Sequence, residues 1–198
     1  MCIRDRVGGV TNASNAQTLN GGSSPQIVIT SAPTMTNGII GGWAVLNGAD
    51  WAVYRSTVDP ITGAYGVGNM GFSYNSQTPF GNYANSLETG TANDNTTSSV
   101  NNATITDITS RTVNSIRISR TDASGQAQFL MRSMDQLISV TSGGILTNQN
   151  GQAVNFLNGR MTAGTTANSA VYVWANNGTT QFLSRFENNG GGTVSFVK

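Results

Sequence analysis

The sequence predicts an all-β chain: a right-handed parallel β-helix (solenoid) segment with an N-terminal β-hairpin excursion. Three observations carry this expectation. Short β-branched and aromatic runs are punctuated by Gly and Asn, with no helical period in the C-terminal half. Gly, Ser, Thr and Asn supply nearly half of the 198 residues, while charged residues make up 10%, against the usual quarter. Apolar cores in the C-terminal half recur at roughly regular intervals. The 37% hydrophobic content falls in tidy clusters, which argues against a disordered polar chain.

Residues 1–6 (MCIRDR) stand apart. They hold the single Cys and two of the arginines, and they resemble a translated sequencing adapter, so they are expected to be an artefact ahead of a native segment starting at Val7. Arg4 and Arg6 against Asp5 account for the whole formal charge of +1. A chain without Cys excludes a disulfide framework and a thiolate metal site. The absence of His removes the commonest general base and metal ligand. No basic run offers a footprint for nucleic acid or anionic lipid, no apolar run reaches the ~20 residues of a membrane span, and no signal-peptide pattern is present.

Residues 7–26 read as loop or an imperfect turn. Strand character begins with IVIT at 27–30, continues with IIGGWAVL at 39–46, and after Asn47-Gly48 resumes with WAVYRS at 51–56, a β-hairpin over 39–56. With a four-residue loop over 47–50, Leu46 faces Trp51 and Trp43 faces Tyr54 as cross-strand pairs; a two-residue loop shifts that register. Residues 57–99 read as an irregular excursion with a boundary near Ser99, so that 7–99 form a β-rich irregular region. Residues 100–198 form the β-helix coils, truncated at the C-terminus.

Within those coils the apolar cores at 116–118, 137–140, 155–157, 171–173 and 194–196 predict a repeat of roughly 16–23 residues per coil. That spacing predicts four or five rungs and ~20 Å of rise. Gly and Asn suit the corners, where the backbone turns left-handed, and stacked Asn or Thr side chains are expected to bond along the axis.

The stretch IIGGWAVLNGADWAVY, then SLETGTANDN, TVNSIRIS, SGGIL, LNGRMTAG and NNGGGTVSFVK resembles, piece by piece and in order, large exported bacterial proteins with autotransporter-associated β-strand repeats, of the type common in Verrucomicrobia and Planctomycetes. Two departures stand out: Asn158-Gly159-Arg160-Met161 replaces the family's Gly-Gly-x-Leu, and residues 57–80 exceed its usual linker. The resemblance implies a secreted or outer-membrane, cell-surface passenger of a Gram-negative-type bacterium. Its implied partners are surface glycans or other cells and the adjoining rungs of the parent chain, and any membrane attachment comes through parts outside this sequence. No catalytic residue, cofactor or metal site is implied.

The chemical alternatives are a polysaccharide-degrading β-helix enzyme and a carbohydrate-binding module. The enzyme needs two carboxylates ~5–9.5 Å apart, yet Asp107, Asp122, Asp135 and Glu187 fall in separate contexts. Calcium-binding coils need Gly-Gly-x-Gly-x-Asp in series, whereas Asn188 to Gly192 carries no following Asp. The binding module rests on aromatics crowding residues 43–83, with Trp43, Trp51 and Tyr54 as candidate ligand-stacking rings. Asn-x-Ser/Thr triplets at Asn12, Asn95, Asn102 and Asn177 are assigned no role.

Overall fold

The structure is a computed structural model that describes residues 31–46, 48–57, 66–71, 81–101, 104–120, 122, 124–166 and 168–198. The chain divides into two units, Met1–Asn82 and Tyr83–Lys198. The described residues contain strands and turns and no helix. The predicted strand at 27–30 lies outside the described residues.

In the first unit β1 (Val45–Leu46), β2 (Asp50–Arg55) and β3 (Gly66–Asn69) form an antiparallel sheet in that order. The hairpin is present, but in a tighter register than expected: Leu46 pairs with Asp50 and Val45 with Trp51. The cause is local. Gly48 is left-handed (φ 63°) and the Ala49 N–H bonds to the Leu46 carbonyl at 3.1 Å, so the chain reverses one residue earlier than a four-residue loop would allow. Trp43 sits in the turn closed by the Ala44 N–H on the Gly41 carbonyl, ahead of β1, and does not pair with Tyr54, whose partner is Val67.

The second unit is a parallel β-solenoid of about three turns. Its strands are β4 (Asn95–Ser99), β5 (Thr104–Ile108), β6 (Arg111–Ser119), β7 (Gln126–Met131), β8 (Leu137–Asn148), β9 (Ala153–Ala163), β10 (Ser169–Asn176), β11 (Thr179–Phe186) and β12 (Val194–Val197). Three faces result from the pairing. The first stacks β4 on residues 115–119 of β6, 144–148 of β8 and 172–176 of β10. The second stacks β5, β7, residues 153–157 of β9 and the start of β11. The third stacks residues 111–113, 137–140, 160–163 and the end of β11. β12 adds to the first half of β10.

Register converts sequence into columns. Ile116 lies on Ile145 and Ile145 on Val173; Val113 lies on Val140 and Val140 on Ala163; Ile105, Phe129, Phe156 and Phe182 form one file. These columns close a single buried core. Each inward residue alternates with an outward one, as the pleat requires.

Three expectations need correction here. The solenoid makes about three turns, fewer than the four or five rungs expected. Most coils are longer than 16–23 residues: register partners are 20 residues apart at Asn95 and Ser115 and 23 at Leu137 and Arg160, within that range, but 24 at Ile105 and Phe129, 27 at Phe129 and Phe156 and 29 at Ser115 and Gly144. The cores at 116–118, 137–140, 155–157 and 171–173 lie on the first, third, second and first faces in turn, so the interval between them measures about two thirds of a turn. The regular stack also begins before Ser99, because β4 already pairs in parallel with β6 and the division between units follows Asn82.

Corners fall where the backbone turns left-handed. β8 continues from the third face to the first through Gly143 (φ 73°), where an added Cβ would lie 1.9 Å from the Ala170 carbonyl oxygen. β9 bends at Asn158 (φ 60°) and Gly159 (φ 57°), conformations that Asn and Gly tolerate best. Asn side chains also bond along the axis, with Asn176 Nδ2 donating to Asn148 Oδ1 at 3.3 Å.

Candidate functional site

The predicted stacking rings do not form one exposed platform. On β2, Trp51 and Val53 project to one face and Ala52 and Tyr54 to the other. Trp51 is 0% exposed, so its ring is core and unavailable to a sugar. The Trp51 backbone N–H donates to the Asp50 carboxylate, whose other oxygen accepts the Gly71 N–H, both at 2.9 Å; this aspartate therefore ties β2 to the segment after β3. Trp43 and Tyr54 are partly buried and pack with Leu46 against Ile40, Ala44, Ala52 and Val67. Tyr65, Phe72, Tyr74 and Phe80 lie outside the described residues, and Tyr83 lies under the Arg117 guanidinium, 5.9 Å from ring centroid to Cζ.

Four acids of the solenoid, Asp94, Asp107, Asp122 and Glu187, are held by side-chain hydrogen bonds or ion pairs, whereas Asp135 is exposed and only its carbonyl is engaged, by Arg160. Arg120, whose side chain is fully buried, donates to Asp122 at 2.7 Å and to the carbonyls of Ser124, Gly125 and Ala153 at 2.6, 2.9 and 3.1 Å. That one guanidinium closes the 120–125 corner and joins it to the next rung. Glu187 receives Arg160 Nη1 on both oxygens at 3.0 and 3.2 Å and Arg185 Nη2 at 3.2 Å. Arg160 and Arg185 are register partners, so this carboxylate separates two stacked cations. Asp107 pairs with Arg132 at 3.4 Å, both exposed, a contact worth little. Asp94 accepts the Thr91 N–H at 2.7 Å, the Thr91 hydroxyl at 2.8 Å and Asn85 Nδ2 at 2.9 Å. The Thr91 N–H above all holds its carboxyl below the ordinary value of 3.8, helped by the Thr91 hydroxyl and Asn85 against the opposing effect of burial. Among the described residues no three His, Cys, Asp or Glu side chains gather as a metal site.

A polar groove of about 520 Å³ lies over the third face. Its lining includes Thr112, Ser139 and Thr162, which are register partners on three successive rungs, and Leu137, Glu187 and the loop from Asn188 to Gly191. The loop is held in place: Asn189 Nδ2 donates to the Ala163 carbonyl at 2.7 Å and its Oδ1 accepts the Gly191 N–H at 2.9 Å, while Asn188 Oδ1 accepts the Val194 N–H at 3.1 Å. The Thr162 hydroxyl donates to the Glu187 carbonyl at 2.9 Å. Sequence reasoning missed these residues because their alignment appears only at the true coil length; hydroxyl residues one position before the buried Val113, Val140 and Ala163 are the signal that was available. The sequence matches no family model, and neither a curated protein nor a solved structure matches the chain.

Proposed function

We propose that the chain is a non-enzymatic structural or adhesive segment of a large secreted or surface-exposed bacterial protein of the autotransporter type. The observation that carries the reading is the use of the solenoid's charged groups: Asp122 and Glu187 are held by arginines that brace corners and rungs. A hydrolytic carboxylate pair needs one acid free to donate a proton and one free to attack or activate water, and these acids are engaged in architecture. The order of motifs shared with autotransporter-associated repeat proteins supports the surface location, and the low charge suits a long stack whose rungs repeat the same contacts.

The reading is tested in two steps. The purified chain, incubated with neutral and acidic polysaccharides, is expected to release no new reducing ends; release that disappears in Glu187→Gln or Asp135→Asn would establish an enzyme instead. Protease shaving of intact cells producing the parent protein is expected to yield peptides from residues 83–198, and their protection until lysis would place the chain inside the cell.

A further inference from the structure

We infer that the groove over the third face binds a neutral, extended carbohydrate. The inference supplies a ligand for the adhesive role proposed above and rests on that reading for its biological sense, while the groove itself belongs to the solenoid wherever the protein resides.

Size and lining agree with a ligand site. The volume of about 520 Å³ falls within the range of about 300–1,000 Å³ typical of small-ligand pockets. The hydroxyls of Thr112 and Ser139 stand one rung apart, about 4.8 Å, so a ligand that repeats hydroxyl groups along its length meets a partner on each of these rungs, while Thr162 above them is buried with its hydroxyl on the Glu187 carbonyl. Thr112, Ser139 and Thr165 make no side-chain hydrogen bond among the described residues, which leaves donors and acceptors free. Leu137 supplies an apolar contact for the C–H face of a sugar ring.

Charge narrows the class. Glu187 is the only ionisable side chain among the described residues of the lining, and Arg160 and Arg185 pair with it. No cation lines the groove itself, so it offers no direct partner to a phosphate, a sulfate or a uronate, nor to a nucleic acid backbone, which needs clustered cations. A peptide is disfavoured for a different reason. The strand at 137–140 under the groove is paired on both sides, with 111–113 and with 160–163, so a peptide lying over it cannot add a strand there. The pinned Asn188 and Asn189 form a rim that is ordered before binding, which lowers the entropic cost of association.

The test uses the full chain and an array of neutral cello-, xylo-, manno- and galacto-oligosaccharides beside uronate-containing and sulfated counterparts, followed by titration calorimetry on any hit. Binding to at least one neutral series, with the acidic counterparts weaker, is expected. The double variant Thr112→Val with Ser139→Ala removes two hydroxyls without disturbing a protein hydrogen bond, and is expected to weaken binding at least tenfold while keeping the wild-type strand spectrum. Trp43→Ala is expected to leave affinity unchanged. Glu187→Gln leaves Arg160 and Arg185 uncompensated and is expected to shift preference towards the acidic series. No binding to any neutral series, preference for acidic glycans by the wild type, or undiminished binding by the folded double variant would overturn the inference. Binding in vitro by a chain that shaving places inside the cell would uphold the groove and overturn the adhesive reading.

Discussion

Phe156 lies against Phe182 with ring centroids 5.1 Å apart and planes 8° from parallel. Parallel pairing puts the two residues in direct register, and Phe129 continues the file below at 5.5 Å and 24°. Such stacking adds about 0.5–1.5 kcal/mol per pair to the burial of the rings. Above Phe182, the rings of Phe186 and Phe196 turn edge-on, and Phe196 is 52% exposed.

This file predicts an unequal mutational response. Phe156→Ala, at full burial and between two rings, is expected to cost about 3–5 kcal/mol, whereas Phe196→Ala is expected to cost under about 1 kcal/mol. Urea denaturation followed by strand circular dichroism measures both, and equal costs would contradict the stacked arrangement.

The Arg120 brace makes a second prediction. Arg120→Met removes the donors of three carbonyls and leaves Asp122 without its cation, so a loss of about 3–5 kcal/mol is expected, the usual cost of breaking a buried pair from one side. Asp122→Asn keeps an acceptor for the guanidinium and is expected to cost less than half as much. Paired denaturation curves of the two variants decide it.

Acid should act on Asp94. Its carboxyl is held below 3.8 in the folded chain, so the folded state favours the ionised form. The resulting stability is present in full above 3.8 and is lost as pH falls through the lower, folded value. Thermal melts of wild type and Asp94→Asn between pH 7 and pH 2 are expected to converge at the acid end, because the variant lacks this proton-linked contribution.

Glycine positions differ in what they tolerate. Gly143→Ala meets the Ala170 carbonyl of the neighbouring rung, whereas an added Cβ at Gly151 (φ 80°) meets nothing within 4 Å. Gly151→Ala is therefore expected to cost only the backbone strain, about 1–2 kcal/mol, and Gly143→Ala clearly more, read as the difference in melting temperature.

Much of the fold was legible because its signals are local. Val113, Ile116, Val140, Ile145, Val154 and Phe156 sit in short apolar runs, and Asn158-Gly159 separates Phe156 from Met161, so strands and corners follow from pattern, while the choice of a parallel solenoid rested on the recurrence of those runs. The hairpin was legible through Asn47-Gly48, but not its register, which a single hydrogen bond from Ala49 to Leu46 decides. The period was not legible. Three strands make each turn, and cores on different faces look alike in sequence, so Ile116–Ile118 and Leu137–Val140 read as successive rungs although they lie on different faces. The aromatic platform failed at Trp51 because a ring in the central strand of a small sheet is among the largest apolar groups available to bury.

The unequal coil lengths have a consequence for how such a chain can change. Turns of 20 and 29 residues stack on the same columns, so added or lost residues are absorbed at the corners and the faces stay in step. Corner segments around Gly151 and Gly190, where an added Cβ meets nothing within 4 Å, are therefore places where evolution, or a designer, can splice in new loops without disturbing the stack. The rim of the groove, Asn188 to Gly191, is one of these segments. Related chains would then share a common shaft and diverge in what its edges grasp.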